Sequence, residues 1–113
     1  MKELLNEKCI PCSIGAPVLT PEIIEELMPQ LDSDWKIHEG KELERTFRFP
    51  DFKTGLDFVN QVGLIAEAQG HHPDICLSWG KVVIRQMTHK IQGLHENDFI
   101  MAAKFDALYP NNR

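Results

Sequence analysis

The chain has 113 residues and a formal net charge of −5, with 42% hydrophobic and 26% charged residues. That length holds one hydrophobic core, and the composition is that of a globular rather than a disordered protein. The acid excess argues against gripping a phosphate backbone, no apolar run approaches the roughly 20 residues of a membrane span, and the acidic N-terminus lacks the apolar stretch of a signal peptide. A cytoplasmic, single-domain protein with no direct nucleic-acid or membrane partner is expected.

Residues 1–19 read as an N-terminal extension, because Pro11, Gly15 and Pro17 discourage regular structure. Cys9-Ile-Pro-Cys12 lies within it. No second close Cys/His pair completes a four-ligand zinc site, and the pair is not set between a strand and a helix as a redox motif would be. With Cys76 far away, no disulfide framework is expected, which agrees with a reducing compartment. Residues 20–113 form the expected single domain.

A first helix starts at Thr20, where Thr caps, Pro21 takes the first helical position and Glu22 favours the positive end of the dipole. Ile23, Ile24, Leu27 and Met28 make its apolar stripe, and Pro29 ends it. Strands are expected over Trp35–Glu39 and Lys41–Phe49, with a turn at Gly40. In the second, Leu43, Arg45, Phe47 and Phe49 alternate with Glu44, Thr46 and Arg48, so Arg45 is the one charge on the apolar face.

Asp51 to about Gln69 reads as the longest helix, with Gly70 as its stop. Phe52, Leu56, Val59, Val62, Gly63 and Ala66 are its expected buried face. Two more strands follow, about Asp74–Trp79 and Val82–His89, joined by a Gly80-Lys81 loop with Gly in the first turn position. Residues 95–108 form a third helix burying some of Phe99, Ile100, Ala103 and Phe105, with His95 at its N-cap. The order α-β-β-α-β-β-α predicts an α+β fold, an antiparallel four-stranded sheet with three helices on one face.

Chemistry concentrates in the histidines. His71 and His72 follow a helix stop, and Pro73 holds His72 extended. A Gly80-Lys81 loop would pair Trp79 with Val82 and set His89 opposite His72, gathering three imidazoles at one sheet edge. Glu67 lies one helical turn before His71, able to orient an imidazole or bind a substrate donor. The residues alone admit three readings: acid–base catalysis, a three-His metal site, or a cross-strand polar pair beside a solvated loop histidine.

Glu67-Ala-Gln-Gly-His71-His72-Pro73, followed by Trp79, His89 and Asp98, resembles the signature of the pterin-4a-carbinolamine dehydratases. The spans Trp79-Gly-Lys81-Val and Gly93 to Ala103 resemble the bacterial members especially, and the likeness covers roughly residues 20–108. The resemblance implies a hydro-lyase, a 4a-hydroxytetrahydrobiopterin dehydratase. It would convert the 4a-hydroxytetrahydropterin left by an aromatic amino acid hydroxylase into quinonoid dihydropterin and water. Pterin is the substrate, with no cofactor and no metal. His71, His72 and His89 are the implied catalytic residues, and Glu67, Pro73, Trp79 and Asp98 the implied pterin-binding ones. His71 and His89 are expected to be the proton-transfer pair, with His72 holding the ring or hydroxyl.

Such members are homodimers or homotetramers, and animal relatives also bind a homeodomain transcription factor. A regulatory dimerisation module acting on hydroxylase genes without catalysis is therefore the alternative. Against the animal pattern, this chain has Gly70 for an Asp before the His pair, Ile75 for an aromatic, and Asn97 for an Arg before Asp98. Read from the residues alone, Trp79 is a packing aromatic, Asp98 a favourable dipole charge, His38 a surface residue, and Cys76 a side chain packed in the sheet.

Overall fold

The computed structural model describes residues 3–10 and 18–109 of the chain. Its main elements are α1 (Pro21–Leu27), β1 (Lys36–His38), β2 (Glu42–Arg48), α2 (Phe52–Gln69), β3 (Asp74–Ser78), β4 (Lys81–Gln86) and α3 (Glu96–Leu108), in the expected α-β-β-α-β-β-α order. Short 3-10 turns sit at Leu4–Asn6, Met28–Gln30 and His89–Ile91. The strands form one antiparallel sheet in the order β1-β2-β4-β3, so β2 and β4 are central and β3 is an edge. Among the described residues, no helix is long and apolar enough to cross a membrane.

Local chemistry accounts for most element ends. Thr20 accepts the Ile23 amide at 3.3 Å and Asp51 the Thr54 amide at 2.8 Å, each satisfying an orphan donor of the first helical turn. Gly70 closes α2 at φ 66°, a left-handed conformation that L side chains resist. The first hairpin turns on two positive-φ residues, Glu39 and Gly40, whose twist suits a tight turn between strands.

Alternation in β2 puts Leu43, Arg45 and Phe47 inward, across from Gln86, Ile84 and Val82 of β4. The outward row Lys36, Glu44, Arg85 and Asp74 crosses all four strands with alternating charge. Buried Arg45 pairs through Nη1 with the Asp106 carboxylate at 2.5 Å, with Asp32 within 3.7 Å, and its guanidinium lies 4.2 Å from the Phe47 ring centre. Asp106 also accepts from Trp35 Nε1 at 2.8 Å and the Asp32 amide at 2.9 Å, so a buried charge pair ties β2 to α3. Helix α3 is buried nearly all round, including Asn97, Asp98 and Asp106 as well as the four expected apolar positions.

Four expectations need correction. The buried ridge of α2 is Gly55, Phe58, Val62 and Ala66, whereas Phe52 and Leu56 are exposed and Gly63 faces open space. Gly55 leads that ridge because a bare backbone lets Leu77, Phe49 and Val82 approach, and a stripe counted on large side chains passes over it.

The second hairpin is shifted by one residue. Ser78 pairs with Lys81, so Trp79-Gly80 is the loop, with Gly80 in the second position at φ 75°. The Gly80 carbonyl accepts the Phe49 amide at 3.0 Å and holds the turn there. Consequently β4 ends at Gln86, and His89 belongs to a 3-10 turn and is not paired with His72. Cys76 is exposed on the outer face, since Ile75 and Leu77 take the inward positions of β3. In α1, Ile23 is exposed and Leu27 carries the burial.

Of the N-terminal segment, Pro11, Cys12, Gly15 and Pro17 lie outside the described residues. Residues 3–10 run against the domain: Leu4 is fully buried, its amide donates to Gln30 Oε1 at 2.8 Å, and Lys104 Nζ donates to the Leu5 carbonyl at 2.9 Å.

Candidate active site

A cavity of about 520 Å³ opens where α2 ends and β4 gives way to the His89–Ile91 turn. That size suits a small ligand. His71, His72 and His89 all line it, together with Thr88, Asn97 and the strap residues Cys9 and Ile10.

The three histidines reach the cavity by separate routes. The left-handed turn at Gly70 reverses the chain out of α2, and the His71 amide still bonds the Ala66 carbonyl at 3.2 Å. His71 is thus tucked beside the helix end, while His72 continues toward β3. His89 comes from the opposite side of the hairpin as the first residue of its 3-10 turn. That turn is closed by Thr88, which bridges to Gly93, and by Gln92 in a left-handed conformation.

Their surroundings differ, and so must their chemistry. The His71 side chain is 13% exposed and its Nε2 lies 2.7 Å from Asp98 Oδ1. Asp98 is completely buried, and its Oδ2 accepts from Thr88 Oγ1 at 2.8 Å and from the His95 amide at 2.9 Å. With three donors converging, the carboxylate fixes His71 as the Nε2–H tautomer, leaving Nδ1 as the nitrogen able to accept a proton. His72 Nε2 lies 2.6 Å from Glu67 Oε2, a pair open to water on both sides. Such a pair adds about 0–1 kcal/mol and can break at little cost to the fold. His89 is exposed, and among the described residues no side-chain hydrogen bond restrains it.

The other expected site residues fall in different places. Pro73 is half-buried behind His72. Glu67 does not line the cavity and touches it only through His72. Trp79 stands at the hairpin tip, 73% exposed and at the other end of β3 from the histidines, so this chain does not bring it to the cavity. Asp98 has no exposed surface and meets the cavity only through His71. Its position at the third turn residue of α3 also closes a capping box with His95, whose Nδ1 accepts the Asn97 amide at 3.0 Å. Among the described residues, no group of three His, Cys, Asp or Glu is arranged to hold a metal ion.

Thr88, Asn97, Cys9 and Ile10 were not legible as site residues. Thr88 was expected inside a strand, and the others gain their place through contacts some 87 residues apart in the chain. Cys9 is half-buried, and burial pushes its thiol up to about 11, so it is a neutral thiol at pH 7.

Known proteins resemble this chain in sequence and fold. A family model described as pterin 4 alpha carbinolamine dehydratase matches residues 17–108. A provisionally named pterin-4-alpha-carbinolamine dehydratase of Alkaliphilus metalliredigens is 50% identical over 106 residues, covering 94% of this chain and 96% of the relative. One of Rubrobacter xylanophilus, equally provisional in name, is 50% identical over 108 residues, covering 96% and 100%. Among solved structures, a transcriptional coactivator/pterin dehydratase from Brucella melitensis superposes with a TM-score of 0.77 at 33% identity, covering 82% of this chain and 99% of that one.

Proposed function

The chain belongs to the pterin 4 alpha carbinolamine dehydratase family, and from that premise we propose that it dehydrates a 4a-hydroxytetrahydropterin to quinonoid dihydropterin and water. The observation that carries the reading is the His71–Asp98 pair at the wall of a cavity that His72 and His89 also line. The reaction needs one group to protonate the hydroxyl leaving C4a and another to take the proton from N5. Imidazoles do both at neutral pH.

His71 Nδ1 is the base in this reading, because Asp98 holds the opposite nitrogen as a donor and stabilises the imidazolium that forms. His89, unrestrained and exposed, delivers the proton to the departing hydroxyl and exchanges it with water. His72, kept by Glu67, holds the ring or hydroxyl. The protein itself supplies proton transfer and positioning, and pterin is substrate rather than cofactor. The product would feed the recycling of an aromatic amino acid hydroxylase's tetrahydropterin. A cytoplasmic setting agrees with the free thiols Cys9 and Cys76, and a homo-oligomer with the unpaired edge of β3.

A hydroxylase-coupled assay following quinonoid dihydropterin tests the activity. His71→Ala and His89→Ala should each slow turnover by about 100-fold or more, the usual scale of a lost acid or base. Near-normal turnover in either variant removes that residue from the proton-transfer pair. The Brucella melitensis neighbour's description as a coactivator supports a second reading, a protein-binding regulator. A chain that gives no acceleration in the assay would favour it.

A further inference from the structure

The N-terminal strap carries two residues, Cys9 and Ile10, to the cavity that holds the histidines. They are fastened there by side chains. Asn97 grips the Ile10 peptide on both sides: Oδ1 accepts the Ile10 amide at 3.1 Å and Nδ2 donates to the Ile10 carbonyl at 2.6 Å. Asn97 is 2% exposed, so breaking this two-bond clasp would leave a buried amide without these partners, which is costly. One residue earlier, Gln69 Oε1 accepts the Cys9 amide at 2.8 Å. Upstream, the buried Leu4 side chain and the Lys104 bond to the Leu5 carbonyl anchor the strap to α3.

The clasp decides what the strap offers a ligand. Both backbone polar groups of Ile10 are taken by Asn97, so this residue, 62% exposed and lining the cavity, is left to offer its side chain. The Cys9 thiol lies 3.8 Å from the Asn97 carbonyl and carries no charge at neutral pH. The strap therefore adds a neutral, largely apolar surface to a cavity whose other walls carry the three imidazoles together with Gln69, Thr88, Lys90 and Asn97. A flat, uncharged heterocycle gains by covering such a surface.

We infer that the Cys9–Ile10 segment is a built wall of the substrate site, clasped by Asn97, and that it sets affinity for the pterin ring rather than the rate of proton transfer. This rests on the dehydratase reading above. Ile10 is the contact residue and Asn97 a positioning residue that acts through it. The Asn at position 97 beside Asp98 thus joins two tasks on adjacent residues, one holding the wall and the other holding His71.

The test is a KM and kcat comparison of the full chain with Ile10→Ala and Asn97→Ala. A parallel measurement follows binding of an oxidised pterin by equilibrium dialysis, read by the pterin's own fluorescence. Both variants should raise KM and weaken pterin binding by about tenfold or more, with kcat altered by less than about threefold, the pattern of lost uniform binding. If Asn97→Ala fails to fold, the exposed Ile10→Ala decides alone. KM and pterin affinity within about twofold of the parent chain, or a loss confined to kcat, overturns the strap. A parent chain without turnover defeats the dehydratase reading. The strap then stands or falls on dialysis, where weaker pterin binding in the variants supports it and unchanged or absent binding overturns it.

Discussion

His71 Nε2 lies 2.7 Å from Oδ1 of Asp98, a carboxylate with no solvent-exposed surface. The imidazole is therefore oriented from behind by a group that substrate cannot touch. Asp98→Asn keeps the shape but turns an amide N–H toward groups that were donating. Turnover should fall by about 100-fold or more with a smaller change in KM. Thr88→Val removes one of the three donors and should cost about 1 kcal/mol of stability with a milder loss of rate. Paired kinetics and thermal melts check both, and an Asp98→Asn variant with normal kcat would deny His71 its orienting role.

The charge row on the outer face makes a pH prediction. Hydrogen bonds from His38 and then Arg85 hold the Glu44 carboxyl below its usual range. A lowered folded-state value means the native chain releases this proton more readily than the unfolded one. The stability it contributes is present above the unfolded carboxylate range and lost as pH falls through the folded value. Glu44→Gln should cost less than about 1 kcal/mol of stability at pH 7 for so open a site, read as a slightly lower melting temperature, and the gap should close on acidification. A gap that widens toward pH 3 contradicts the assignment.

Cys9 and Cys76 should react differently with an alkylating agent. The Cys9 thiol, pushed up to about 11 by burial, should react slowly at pH 7 and faster only as the pH nears that value. Cys76 is exposed on the outer sheet face and should react first. Peptide mass spectrometry of a time course reads both rates. Rapid labelling of Cys9 at neutral pH would mean that the strap is not seated against the domain.

Gly63 lies inside α2 with nothing within 4 Å of where a Cβ would stand. Gly63→Ala should stabilise the chain by about 0.5–1 kcal/mol, because alanine reduces the freedom of the unfolded chain at no cost in space. A lower melting temperature would place that helix face against another surface in solution.

The elements and their ends were legible because they answer to chemistry a few residues away. Thr20 and Asp51 cap, Gly70 stops a helix, and the alternation of Leu43, Arg45 and Phe47 marks an inner face. The partner of Arg45 was not legible, since Asp106 stands 61 residues further on. The second hairpin differs from its sequence pattern by a single residue. Either Gly80-Lys81 or Trp79-Gly80 satisfies local turn rules, and the Phe49 amide on the Gly80 carbonyl, a contact outside the hairpin, selects the second.

The sequence by itself determined the order of helices and strands, the family, and which histidines stand at the ends of elements. Tertiary structure alone decided how those histidines are used. It buried Asp98 behind His71, set His89 in a 3-10 turn beside the cavity, carried Trp79 away from it, and laid Cys9 and Ile10 along its wall. The reason is range. Caps, turns and periodicity are set by neighbours in the chain, whereas orientation and desolvation come from side chains that only packing brings within 3 Å of each other.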